Sequence, residues 1–285
     1  LAGSLVAASA YAGEMSVAGS ASLNVEHTNG GAADTGKTFS MGNQLTFTGG
    51  GELDNGLNVS LSYQLDNAAG ESGPFDDHSI TISSDEIGTI KFSGHGGSSA
   101  TSAMDATAAG DIWDGFDGAV ATGVTGVTIG ASGGENNSIY YTAPSLMDGL
   151  TINASLQPSE GGATQVESTL AWGIEYTGVE GLTVGYAQDD NGLAGTSAID
   201  YNVMYAKYAY GPVTVGVTQS EQDANGSTND DEFEAIGITY QVNDDLTIGY
   251  NQSEYDNAGT TTDEESTNLS VSYTMGGMTI GAAFV

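Results

Sequence analysis

The chain has 285 residues, 39% of them hydrophobic, with 43 Gly, 4 Pro and no Cys. Its 37 Asp and Glu stand against three Lys and no Arg, a formal net charge of -34, which excludes nucleic-acid binding, since that needs many phosphate-neutralising cations. No run approaches the length of apolar residues that a membrane-spanning helix needs, and the lack of Cys removes disulfides and thiolate metal sites.

Charged residues make up only 14% of the chain, below the roughly 25% of ordinary soluble domains. Acidity with few aromatics would read as disorder, but 14 Tyr, 7 Phe and a sustained alternation argue for folded strands.

Residues 1–12 form an apolar run ending in Ala10-Tyr11-Ala12, the pattern of the tail of a secretory signal peptide cleaved after Ala12. The plainer alternative is a short apolar strand or helix. The folded domain is expected over residues 13–285, with the chain starting inside the signal.

Period-two alternation then marks strands. Met15 to Val25, Phe39 to Phe47 and Leu57 to Leu65 alternate, the last two runs joined through a turn at Asn55-Gly56. Ile80 and Ile82, then Ile90 and Phe92, follow. About forty residues of small and acidic composition come next, before the pattern resumes at Ser138–Pro144 and Leu150–Leu156. A connection that long in a compact domain marks a functional insert when the flanking strands are clear. Beyond it the rhythm is regular: Leu170–Tyr176, Leu182–Tyr186, Ile199–Tyr205, Val213–Val217, Ile236–Tyr240, Leu246–Tyr250, Leu269–Tyr273 and Met278–Phe284.

The reading is therefore all-β, with 15 strands and no helix-period segment of useful length. Short and long connections alternate, as in an up-and-down antiparallel transmembrane β-barrel with turns at one end and loops at the other. A soluble sandwich would alternate similarly. The Ser/Thr/Asn/Gln/Gly-rich polar parity favours the membrane, as does the bias of Tyr63, Tyr141, Trp172, Tyr176, Tyr205, Tyr240 and Tyr273 toward strand ends beside short turns. Bacterial barrels close with an even strand number, so a sixteenth strand is expected beyond residue 285.

Three segments carry a family resemblance: Gly51-Glu52-Leu53-Asp54-Asn55-Gly56-Leu57, Ile87-Gly88-Thr89-Ile90-Lys91-Phe92, and Asn137-Ser138-Ile139-Tyr140-Tyr141-Thr142-Ala143-Pro144-Ser145. With the order of turns and loops, they make the chain resemble the Gram-negative general porins of the alphaproteobacterial branch. That resemblance implies a 16-stranded outer-membrane barrel among lipid and lipopolysaccharide, assembled as a homotrimer. It also implies a third loop, here residues 95–137, folded into the lumen, and passive diffusion of small hydrophilic solutes. No cofactor is implied.

An aqueous barrel owes its selectivity to lining charges and width. Asp105, Asp111, Asp114 and Asp117 in the insert are the candidate constriction carboxylates, with Trp113 and Phe116 as its anchors; Lys91, on the polar parity and so expected to face the lumen, joins them as a constriction candidate. The plainer alternative is solvated loop carboxylates. Calcium held by this loop is the metal-binding alternative, although the spacing of three does not match an EF-hand. Lys37 sits at a loop end. Lys207 shares the parity of Tyr205, assigned here to the apolar exterior, where it would snorkel to the interface. General porins oppose the acidic loop with a basic cluster. This chain lacks one, so a preference for cations is expected. Gly19, Ala21 and Asn43 fall on the outward parity of the first two strands and suit a protein neighbour better than lipid; a bulge or parity error is the alternative.

An enzyme is the first rival reading, but His27, His78 and His95 lie at or near loops and in no hydrolase motif. An acidic secreted adhesion protein is the second, yet Gly133-Gly134-Glu135 starts no calcium-binding repeat. A substrate-specific channel is the third.

Overall fold

In the structure, a computed structural model, residues 15–28, 36–66, 75–104, 136–158, 168–190, 199–224, 230–256 and 263–284 are described. They form fifteen strands: β1 (Ser16–Thr28), β2 (Gly36–Glu52), β3 (Asn58–Asp66), β4 (Asp77–Ser84), β5 (Gly88–His95), β6 (Ser138–Thr142), β7 (Leu150–Gln157), β8 (Thr169–Val179), β9 (Leu182–Asp190), β10 (Ile199–Tyr210), β11 (Val213–Ala224), β12 (Asp231–Gln241), β13 (Leu246–Asp256), β14 (Glu264–Met275) and β15 (Met278–Phe284). There is no helix among the described residues. The all-β, up-and-down antiparallel class read from the alternation is the one observed.

The chain divides into two compact units. One holds β1–β6; the other holds β7–β15 and the start of the insert at Ser98. Within each, strand order is chain order and neighbours pair antiparallel. Among the described residues β1 pairs only with β2 and β15 only with β14, and every residue of β15 is exposed.

The polarity of the two faces is the decisive feature of the second unit. Along β12, Phe233 and Ala235 are buried while Glu234, Ile236 and Ile238 are exposed. Ile236 is 59% exposed and Leu269 50%, whereas Asn251 and Asn268 are both 0%. A soluble sandwich would bury the Ile and Leu and expose the Asn. Uncovered in water, such apolar rows cost about 25 cal/mol per Å², so lipid or protein must cover them.

Short connections are built by their own side chains. Between β2 and β3, Gly56 has φ +81° and Asn55 Oδ1 accepts a hydrogen bond from the Leu57 amide at 3.2 Å. Between β12 and β13, Asn243 Oδ1 accepts from the amides of Asp245 and Leu246 at 2.9 and 3.0 Å. β2 runs past its last alternating residue, Phe47, to Glu52, because Gly49, Gly50 and Gly51 stay in the ladder opposite Leu61, Ser60 and Val59.

Two expectations for β10 are corrected by the register. Met204, Ala206 and Tyr208 stand opposite Tyr186, Val184 and Leu182, which places them on the apolar exterior. Tyr205 and Lys207 stand opposite Gly185 and Thr183 on the other face. Tyr205 is therefore no girdle residue, and Lys207 does not snorkel outward from the apolar face. Both parities of Asp200–Tyr210 are rich in apolar residues, so alternation alone could not choose between them. Trp172 is corrected too. It lies near the long connection rather than a short turn, opposite Gln188, its ring centroid 5.5 Å from that of Tyr186.

Candidate functional site

The beginning of the insert is a tight knot of small hydroxyl residues seated on β7–β10. The Met104 amide donates to the Thr101 carbonyl at 3.0 Å and the Ala103 amide to the Ser99 carbonyl at 3.1 Å, closing one turn. Inside that turn the Ser102 amide donates to Ser99 Oγ at 3.0 Å. Ser99 Oγ lies 2.7 Å from Thr101 Oγ1, and Thr101 in turn donates to a carboxylate oxygen of Asp189. Because the Thr101 hydroxyl proton is committed to Asp189, Ser99 is the donor in their pair. The turn is tied a second time by the Ala100 amide donating to Ser155 Oγ at 3.0 Å.

Apolar packing completes the seat. Met104 is buried with Ala187, Val203 and Tyr205. A Cβ added at Gly173 would stand 2.7 Å from Met104 Cε, and one at Gly185 would stand 2.3 Å from the Tyr205 ring and 3.0 Å from Met104 Sδ. Glycine at these two positions leaves room for the insert to approach the wall of the sheet. Tyr205 itself is held by donating to the Glu175 carboxylate. This explains why β10 carries large apolar residues on the non-lipid parity: Val203 and Tyr205 pack beneath the insert.

Asp105, Asp111, Asp114 and Asp117, and the proposed anchors Trp113 and Phe116, lie outside the described residues. So does any calcium site they would form. Lys91, in the first unit, is half-buried on the polar face of β5, opposite Thr81 and Tyr140 and beside buried Ser93 and Ser138. Lys207, in the second unit, is half-buried on the face that carries the insert, opposite Thr183 and Gly216. Gly19 stands opposite Leu45 and Ala21 opposite Asn43, on the same row of β1–β2 as Val17 and Leu23; all three are exposed. Near the long connections of the first unit, Asp76, Asp77 and His95 bring ligand atoms within 4.8 Å of one another, with His95 Nδ1 3.8 Å from Asp77 Oδ1.

The seat residues Ser99–Met104, Ser155, Gly173, Glu175, Gly185 and Asp189 were not singled out by the sequence reading. Their signal is present: Ala171, Gly173, Gly185 and Ala187 are four small residues on one parity of adjacent strands, the mark of a close neighbour.

An antiparallel meander with its apolar rows exposed and the start of an insert seated on its polar face is the architecture of an outer-membrane channel. The sequence matches the Gram-negative porin family over residues 1–285, and the chain belongs to that family. No curated protein sequence matches it. Among solved structures it is similar to the anion-selective porin of Comamonas acidovorans, with TM-score 0.64 and 16% identity, covering 92% of this chain and 85% of that one. It is similar also to a loop L8 deletion mutant of OmpT, an outer membrane protein of Vibrio cholerae (TM-score 0.65, 15% identity, 96% and 94% covered). Salmonella typhi OmpF, solved in complex with daunomycin, gives TM-score 0.63 and 14% identity, covering 92% and 86%. At such identities the likeness establishes the fold. The protein is an outer-membrane porin, a channel for passive diffusion.

Proposed function

We propose that the channel passes ions and small hydrophilic solutes through an opening narrowed by the insert, and that it prefers cations. The observation that carries the first part is the hydrogen-bonded seat of Ser99–Met104 on the face of β7–β10, which starts the insert on the polar side of the sheet. The second part rests on charge: 37 acidic residues against three Lys, two of which are on polar faces. Asp105, Asp111, Asp114, Asp117 and Lys91 are the charged residues assigned to the constriction, with Trp113 and Phe116 as further anchors of the insert.

A carboxylate about 7 Å from a passing monovalent cation is worth roughly 0.6 kcal/mol in water-like dielectric. Three would enrich cations about twentyfold at low salt, less at physiological ionic strength, where the Debye length is about 8 Å. The relationship to an anion-selective porin does not bear on the sign, because fold similarity at 16% identity does not carry lining charge. Reconstitution into a planar bilayer under a potassium chloride gradient tests this: the reversal potential is expected to have the cation-selective sign, and the opposite sign refutes the preference.

Residues 1–12 are assigned to an export signal. Gly19, Ala21 and Asn43 are assigned to contact with sister subunits of a trimer, an assignment supported by their exposure among the apolar residues of β1–β2.

A further inference from the structure

On the exposed face of β10–β13 the ladder aligns side chains in rows that cross the strands. Tyr208, Val215, Ile238 and Tyr250 form one row; Ala206, Val217, Ile236 and Gln252 the next; Met204, Gln219, Glu234 and Glu254 the third. Successive rows stand two residues apart, about 7 Å along the strand. The surface thus passes from apolar to amide to carboxylate over about 13 Å.

Two depressions follow this gradient. An apolar one of about 540 Å³ lies among Leu182, Tyr208, Val215, Ile238 and Tyr250. A second, of about 430 Å³, lies among Met204, Gln219, Glu234, Gln252 and Glu254. Ala206, Val217 and Ile236 line both, so the two are continuous, and the small side chain of Ala206 supplies the depth where they meet. A uniform apolar wall offers lipid chains no fixed seat; a groove with one polar end does.

The polar end is electrostatically one-sided. Glu234 stands directly opposite Glu254, Glu254 opposite Glu265, Glu221 opposite Glu232, and Glu232 opposite Asp256. Like charges in directly opposed positions destabilise a sheet. The chain has no Lys, Arg or His from residue 208 to residue 285 to offset them. Lys207, which also lines the apolar depression, is on the other parity of β10, opposite Thr183 and Gly216, so the positive partner for Glu234 and Glu254 at this rim is expected from another molecule, and a head bearing only phosphate would be repelled.

We propose that this groove binds one cationic amphiphile, a lipid whose ammonium-bearing head sits at Glu234 and Glu254 and whose alkyl chain crosses Ile236 and Val217 to reach Ala206. The proposal does not depend on the ion preference of the channel. The test is native mass spectrometry of the full chain in mild detergent with lysyl-phosphatidylglycerol or phosphatidylglycerol, which share tails and differ in head charge. The lysyl lipid is expected to be retained about tenfold better, as two exposed ion pairs would give. Glu234→Gln with Glu254→Gln should bring that ratio close to one, and Ala206→Leu should lower retention of the lysyl lipid by filling the groove. Single-channel conductance of the same samples checks that each variant is folded, and Ala206→Val is the milder filling variant should Ala206→Leu not insert. Equal retention by the unaltered protein overturns the proposal, as does unaltered retention in the variants. Retention of phosphatidylglycerol that requires calcium and vanishes with EDTA overturns it in favour of a divalent bridge.

Discussion

The Thr101 hydroxyl donates to the Asp189 carboxylate across 88 residues of chain, and the two residues are only 1% and 2% exposed. This bond joins the start of the insert to β9.

Removing the donor while leaving the buried acceptor should be costly. Thr101→Val takes one donor from a buried carboxylate, with an expected loss of about 1–3 kcal/mol. That corresponds to a fall of about 2–4 °C in melting temperature per kcal/mol for a chain of this size class. Released from one of its ties, the insert should also fluctuate, so single-channel records should show more open-state noise than the parent. Melting and noise both unchanged would show that the bond holds nothing.

The fit of Met104 against two glycines makes a coupling testable. Gly173→Ala places a Cβ 2.7 Å from Met104 Cε and 3.1 Å from Ala187 Cβ, and overpacking of this kind costs about 1–3 kcal/mol. In a Met104→Ala background most of that cost should vanish. A thermal-melt double-mutant cycle reads the interaction, expected at about 0.5–3 kcal/mol. Strict additivity would mean Met104 does not sit on Gly173.

Lys207 discriminates between two placements. On the insert face, Lys207→Glu changes the lining by two charges and should enrich cations by up to about sevenfold at low salt, less as salt screens it, moving the reversal potential toward the cation-selective sign. At an exterior interface the same substitution would leave the reversal potential where it was. Lys91→Glu is the companion measurement in the first unit.

Acidity at the loop end should stabilise rather than weaken the fold. Asp230, just outside β12, has a carboxyl raised above its ordinary range by desolvation first, then by Asp223 and Glu221, with a hydrogen bond to Asp223 and the charge of Asp231 adding to it. A carboxyl raised in the folded state binds its proton more tightly there than in the unfolded chain. Stability therefore falls as pH rises from the ordinary carboxylate value through the folded one, and the penalty persists at neutral pH. Asp230→Asn should melt higher than the parent at neutral pH and converge with it in acid. A variant that melts lower at neutral pH would contradict the sign.

Alternation in the sequence determined the strand number, the antiparallel order and the outward direction of rows such as Ile236–Ile238. A period of two leaves a side chain only two faces to choose from, and Asn55-Gly56 admits few alternatives to a turn. Where both parities were apolar, as from Asp200 to Tyr210, the pattern could not choose, and the register with β9 and β11 put Tyr205 and Lys207 on the insert face. The seat of the insert was equally out of reach. Thr101 finds Asp189, and Met104 finds Gly173 and Gly185, only once separate strands stand side by side, because complementarity of shape and hydrogen bonding between distant segments leaves no periodic trace in either one.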